Sequence, residues 1–157
     1  PMPVSLRPIH DADLPILFQV YASTRAEELA VVDWTDEQKT AFLQMQFVAQ
    51  HKSYQAQYTN TDFLLILFDG TPIGRLYVAR WPAEIRIVDI ALLPAYRGTG
   101  TGTQLITALI HEAEVAQKPL RIHVERENPA LRLYQRLGFV LVEDKGVYLF
   151  MERPVGV

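Results

Sequence analysis

The spacing of apolar residues shifts along the chain between strand-like and helix-like periods, and each shift marks an element. Val4 to Ile9 reads as a short strand. Leu14, Leu17, Phe18 and Tyr21 then recur at helical spacing, with Asp11 or Asp13 as cap and Pro15 tolerable in the first turn. That helix fades near Leu29. Thr35 or Asp36 caps a second helix, which sets Phe42, Met45 and Ala49 on one side. Phe63 to Phe68 is an unbroken apolar run, as a buried strand requires. Asp69-Gly70 signals a hairpin, and Ile73 to Trp81 returns as the partner strand until Pro82 breaks it. Ile85 to Leu93 forms another strand, ending at Pro94. Gly102 to Gln117 is a helix with Leu105, Ile106, Leu109, Ile110 and Ala113 inward, and Lys118-Pro119 ends it. Leu120 to Val124 is a strand. Asn128-Pro129 opens a helix over 130–137, closed by Gly138. Phe139 to Val142 and Val147 to Met151 form a last hairpin around Lys145-Gly146.

The order is strand, two helices, three strands, helix, strand, helix, two strands. Early hairpins give way to a strand–helix–strand unit, whose crossover brings two strands parallel. The predicted class is α/β (or α+β), with one mixed sheet and helices on both faces. No repeat, linker or low-complexity tract marks a boundary, so residues 1–157 are expected to form a single domain.

Composition narrows the function classes. The chain has no cysteine, which excludes disulfides, thiolate metal sites and a cysteine nucleophile. His10, His51, His111 and His123 are scattered, and His111-Glu112-Ala113-Glu114 lacks the second histidine of a zinc helix, so no metal is expected. The longest apolar runs fall far short of the roughly 20 residues that span a bilayer. No basic start precedes an apolar stretch and cleavage site, which reads as a cytoplasmic protein without a membrane partner. A net charge of −3 argues against a nucleic-acid partner. Basic side chains outnumber acidic ones between residues 91 and 140, and the reverse holds over 1–60. An anionic ligand toward the C-terminal half fits that imbalance, as does chance.

Arg97-Gly98-Thr99-Gly100-Thr101-Gly102 follows a strand and opens a helix. Its three glycines leave backbone N–H groups unshielded, and the helix start adds its own unpaired N–H groups and dipole. Arg97 adds a full charge. A pyrophosphate suits such a cradle, although a glycine-rich turn of this kind can also be purely structural. The nucleotide-hydrolase phosphate loop requires a lysine that is absent here, and the dinucleotide fingerprint fails because position 103 is Thr.

With Asn128-Pro129-Ala130-Leu131-Arg132-Leu133-Tyr134-Gln135-Arg136-Leu137-Gly138-Phe139, the pattern resembles the GNAT superfamily of acyl-coenzyme-A-dependent N-acetyltransferases. Arg97, Gly100 and Gly102 match its cofactor motif. Asn128, Tyr134, Gly138 and Phe139 match its next motif, although Ala130 lies one residue earlier than the family's usual Ala. Leu92-Leu93-Pro94-Ala95-Tyr96-Arg97-Gly98 is similar to its strand-to-loop passage. The resemblance implies the acyl-CoA N-acyltransferase fold: a mostly antiparallel sheet with a splayed parallel central pair.

It also implies roles. The amides of Gly98, Thr99, Gly100, Thr101, Gly102 and Thr103, with Arg97, would hold the pyrophosphate of acetyl-coenzyme A, here a cosubstrate. The pantetheine arm would pair with backbone around Leu92 and meet Asn128. Tyr134 would donate a proton to the departing thiolate. His123 stands where many members carry a glutamate base, and imidazole suits that task near neutrality. Glu84 and Asp89 are further base candidates. On the acceptor side, Glu28, Trp34 and Glu84 combine carboxylates with an aromatic, which suits an organic ammonium. The expected activity is direct acetyl transfer from acetyl-CoA to a primary amine of a small molecule, without a covalent enzyme intermediate. A non-catalytic acyl-CoA sensor and a peptide or protein N-acetyltransferase stay open. So does a homodimer, with the last strand as an edge.

Overall fold

A computed structural model describes residues 3–156. The elements follow the expected order: β1 (Val4–Pro8), α1 (Leu14–Ala30), α2 (Asp36–Gln57), β2 (Thr61–Phe68), β3 (Thr71–Arg80), β4 (Ile85–Leu92), α3 (Thr101–Ala116), β5 (Leu120–Glu125), α4 (Leu131–Arg136), β6 (Val140–Asp144) and β7 (Tyr148–Arg153). Single 3₁₀ turns at Asp11–Asp13 and Pro94–Tyr96 precede α1 and the cradle loop. The seven strands run β1-β2-β3-β4-β5-β7-β6 across one sheet. β1 pairs antiparallel with β2, and β7 pairs antiparallel with both β5 and β6. The β4–β5 pair is parallel. Its ladder covers Ile85–Ile87 against Leu120–Ile122 and stops there, whereas β4 continues to Leu92 and β5 to Glu125. The parallel pair is therefore splayed beyond Ile87 and Ile122.

Local chemistry sets most boundaries. Asp69 and Gly70 both take positive φ, 50° and 82°, as the tight β2–β3 hairpin requires. Thr35 caps α2: its hydroxyl accepts from the Gln38 amide while the Gln38 side chain accepts from the Thr35 amide. Asp13 does not cap α1 in that way. Its carboxylate accepts from the His10 amide and from Arg7, which ties β1 to the turn before the helix.

The chain divides into two compact units. The first takes residues up to Thr59, with Phe63–Leu76 and Ala91–Arg97; the second takes Asn60–Asp62, Tyr77–Ile90 and the chain from Gly98 on. The first is centred on Leu17, Tyr21, Phe47 and Leu65, with Ile9, Leu14, Phe18 and Leu43 packed around them. The buried face of α2 is thus the Phe47 face, and Met45 is exposed, contrary to the Phe42–Met45–Ala49 stripe expected from spacing. That helix is polar on most of its circumference, so single apolar residues at offset turns mimic a stripe. In the second unit α3 buries Leu105, Ile106, Leu109, Ile110 and Ala113, as its periodicity predicts, and packs on β5. Alternate residues of β4, β5 and β7 complete this core: Ile85, Ile87, Leu120, Ile122, Val124, Leu149 and Met151. The alternation places Arg86, Arg121, His123, Phe150 and Glu152 on the other face.

Candidate active site

The cradle turn is shaped by its glycines. Gly98 and Gly100 have φ of 71° and 88°, the left-handed region that L side chains avoid. A Cβ built on either would meet nothing within 4 Å, so both face open space. Gly100 is the N-cap of α3 and carries no side-chain cap. The Gln104 amide is the first to close a helical bond, to the Gly100 carbonyl at 3.0 Å. The amides of Thr101, Gly102 and Thr103 therefore precede the first helical hydrogen bond and belong to the set every α-helix leaves without an internal partner. The Thr99 and Thr101 hydroxyls lie 3.1 Å apart, which ties the turn to the first residue of the helix.

Leu92 and Arg97 belong to the first unit and are bonded to each other. Arg97 Nε donates to the Leu92 carbonyl at 3.0 Å, and its Nη2 donates to the Ser23 hydroxyl at 3.2 Å. The guanidinium is exposed, yet its direction is fixed by β4 and α1. Gly74 of β3 lies against the same strand end. A Cβ there would run into the Ala91 carbonyl oxygen and stand 2.9 Å from Leu92 Cδ2. Sequence reasoning passed over this glycine, although a glycine inside a strand is itself a signal of close backbone approach.

Tyr134 sits in the middle of α4, 3% exposed, with its ring edge-on to Phe139 at 5.5 Å between centroids. Burial pushes its phenol above the usual value, and the negative charge of Asp89 adds to the effect. It is thus a protonated donor throughout the neutral range. Asp89 shares a face of β4 with Ile85 and Ile87 and lies two residues past the last β4–β5 rung. Asn128 precedes α4: its Oδ1 accepts from the Ala130 amide at 2.9 Å, while its exposed side-chain NH₂ makes no hydrogen bond among the described residues.

His123 is the first β5 residue beyond that last rung, exposed on the face opposite the second unit's core. Its ring stacks on Phe150 at 4.6 Å and 29°, and Lys145 Nζ lies 3.2 Å from its Nε2. Lys145 and Arg86 also lie over the Phe150 ring, at 5.3 and 4.9 Å. Partial burial lowers the His123 pKa, the positive charges of Arg86 and Lys145 lower it further, and Glu84 and Glu143 oppose them. The imidazole is therefore neutral at pH 7. A lysine ammonium has only donors, so Nε2 accepts and the proton resides on Nδ1. Neither Lys145 nor Phe150 stood out in the sequence, because the β5–β7 pairing that brings them to His123 is not local.

Of the acceptor-side candidates, Glu84 lies in the second unit, and Glu28 and Trp34 lie in the first. Glu84 is buried with both carboxylate oxygens engaged, by Arg86 at 2.7 Å and Arg121 at 3.1 Å, and Arg121 also binds Glu152. It has little capacity left for a substrate ammonium. In the first unit Glu28 pairs with Arg25 at 3.0 Å and Trp34 packs edge-on against Phe42. Neither lines the cavity of about 600 Å³ between α1 and α2, which is walled by Leu14, Phe18, Phe47 and His51. Among the described residues, no group of three or more His, Cys, Asp or Glu could hold a metal ion, and no helix is long and apolar enough to cross a membrane.

The model of the acetyltransferase (GNAT) family matches residues 25–139. A mycothiol acetyltransferase of Corynebacterium glutamicum is 36% identical over 107 residues, which cover 62% of this chain and 36% of that protein. The chain thus spans about a third of the length of the curated relatives it matches. Among solved structures, PaiA N-acetyltransferase from Thermoplasma acidophilum, crystallised with coenzyme A, superposes with a TM-score of 0.71 at 19% identity, covering 98% of this chain and 99% of that one. An acetyltransferase from Thermus thermophilus superposes equally well, TM-score 0.71 at 20% identity, covering 98% of each chain. At these identities the structures speak for the fold.

Proposed function

We propose that this chain, which belongs to the acetyltransferase (GNAT) family, moves the acetyl group of acetyl-coenzyme A to the primary amine of a small molecule. The observation that carries the reading is the turn at Gly98 and Gly100, left-handed and open where side chains would stand, at the start of α3. Main-chain N–H groups and a helix dipole are the donor set a diphosphate needs. Relatives named for mycothiol support a small-molecule acceptor. The reading takes residues 1–157 as one catalytic domain, without a metal. The last strand, β7, lies between β5 and β6 and is not the edge expected from the sequence; the edge is β6, whose Val140, Leu141 and Val142 are exposed, and a dimer would pair there.

Mechanism follows from the residues. Amides of 98–103 and the charge of Arg97 hold the diphosphate, and backbone near Leu92 and the NH₂ of Asn128 align the arm that follows it. Acetyl-coenzyme A supplies an acyl carbon on a good leaving group. A backbone amide near Leu92 steadies the carbonyl oxygen as it gains charge. His123, neutral, takes a proton from the acceptor's ammonium at Nε2 once the acceptor displaces Lys145. The amine attacks directly, Tyr134 hands its proton to the departing sulfur, and the surplus proton on the new amide nitrogen restores the phenol. A phenol raised by burial protonates a thiolate only where the thiolate is as poorly solvated, so the reading requires the sulfur to share the buried surroundings of Tyr134, itself 3% exposed.

The test is calorimetric titration with coenzyme A, then release of free coenzyme A across a panel of primary amines. Binding with turnover of at least one amine is expected. Absence of binding overturns the reading, and binding without turnover of any amine replaces it with a sensor.

A further inference from the structure

We infer that Lys145 is itself an acetyl acceptor of this protein, a site of self-acetylation in the second unit. The inference rests on the proposed function and adds a named substrate to it. An acceptor amine must bring its ammonium to the base, beside the opening between β4 and β5. Lys145 already holds that position. Its Nζ lies 3.2 Å from His123 Nε2, and His123 is the first β5 residue past the last rung of the parallel ladder. The ring of Phe150 lies 5.3 Å from the same ammonium, an aromatic seat for an alkylammonium. No carboxylate forms an ion pair with Lys145 among the described residues. Glu143 faces Phe150 across the β6–β7 pair, and Glu84 is taken by two arginines. The lysine is delivered by the Lys145-Gly146 turn, where Gly146 takes φ of 87°, and it is exposed to solvent. None of Lys39, Lys52 and Lys118 has a histidine nitrogen within hydrogen-bond reach among the described residues: Lys118 donates to the Trp81 carbonyl, and Lys39 and Lys52 lie on α2.

The step balances with acetyl-CoA as the only co-reactant. His123 Nε2 accepts one ammonium proton from Lys145. The freed amine nitrogen forms a bond to the acetyl carbonyl carbon, the carbon–sulfur bond breaks, the sulfur leaves as a thiolate that takes a proton from Tyr134, and the surplus proton on the new amide nitrogen passes to the Tyr134 oxygen and restores the phenol. The products are N-acetyl-Lys145 and coenzyme A. Acetylation removes the charge of Lys145 beside His123, and once the imidazole sheds its proton Nε2 is open to an incoming amine.

The experiment incubates the full chain with acetyl-CoA and no amine, then maps lysine acetylation by peptide mass spectrometry over time. Expected is a single acetyl group gained at Lys145 well before Lys39, Lys52 or Lys118, with labelling slowed about 10²-fold in His123→Gln. Lys145→Arg removes the site and keeps the positive charge, so no lysine labels quickly in that variant. Equal labelling of all four lysines, or a Lys145 rate unchanged in His123→Gln, overturns the inference. If a free amine is acetylated while Lys145 stays unmodified, the self-acetylation inference falls and the proposed function stands. If neither is acetylated while coenzyme A binds, the proposed function itself falls.

Discussion

Gly74 and Ala91 approach so closely that no side chain fits between them: a Cβ on Gly74 would penetrate the Ala91 carbonyl oxygen. The obstacle is backbone, which cannot rotate away, and Leu92 Cα stands 3.1 Å from the same Cβ. Gly74→Ala should therefore push the end of β4 off β3. The expected loss is about 1–3 kcal/mol, the usual cost of overpacking a close contact. Urea denaturation measures it. An unchanged midpoint would mean the two strands are not in contact in solution.

Gly100→Ala separates strain from ligand space. The substitution places a Cβ at φ of 88°, which costs about 1–2 kcal/mol, but the Cβ meets no protein atom, so the fold persists. It would stand in the space assigned to the diphosphate, and coenzyme A affinity should fall about tenfold, or about 1.4 kcal/mol. Gly146→Ala is the matched control, with φ of 87° and equally open surroundings in the β6–β7 turn. Its affinity for coenzyme A should stay at the parent value. Equal affinity losses in both variants would make the cradle effect one of strain alone.

Much of this was legible in the sequence where the signal is local. The cradle glycines, the Asp69-Gly70 hairpin and the five inward positions of α3 each depend on residues a few places apart, and each stands where expected. What escaped depends on pairing between distant strands. Lys145 reaches His123 only because β7 lies beside β5 and turns back into β6, a relationship between residues 22 apart. Glu84 read as a free carboxylate because its partner Arg121 is 37 residues away. The α2 face was misjudged because one buried phenylalanine in a polar helix leaves almost no periodic signal.

Tyr134→Phe should preserve the ring's edge-on packing against Phe139 and remove only the hydroxyl. Turnover should drop about 10²- to 10⁴-fold, the usual span for loss of a general acid, while coenzyme A affinity stays within about twofold. Because burial and Asp89 both push the phenol up, the parent enzyme should show no alkaline limb from Tyr134 below the ordinary tyrosine range. Steady-state kinetics with calorimetry checks both. Unchanged turnover removes Tyr134 from the chemistry.

In the proposed mechanism His123 sets the acidic limb of the pH–rate profile. Burial, then Arg86 and Lys145, hold its folded-state pKa below the ordinary 6.5. The fraction able to accept a proton is therefore high at neutral pH and falls only below 6.5. The limb of kcat/KM should have its midpoint under 6.5 and should move upward in Lys145→Met, which removes one of the two cations named above. Imidazole chemical shifts followed by NMR give the same midpoint without turnover. A limb that keeps its place in His123→Gln would assign it to another group.

Asp13 carries the clearest link between charge and stability. Arg7 binds both of its carboxylate oxygens at 2.8 Å, and the His10 amide adds a third hydrogen bond at 2.7 Å. These hold its pKa down to about 2 from 3.8, with the Arg7 hydrogen bonds the largest cause. Because the folded-state value is depressed, the stabilisation is fully present above 3.8 and disappears as pH falls through about 2. Asp13→Asn should therefore cost about 2 kcal/mol at pH 7 and about half as much at pH 3. Denaturant titrations of both proteins at the two pH values measure the gap, and a gap independent of pH would assign the loss to packing instead of charge.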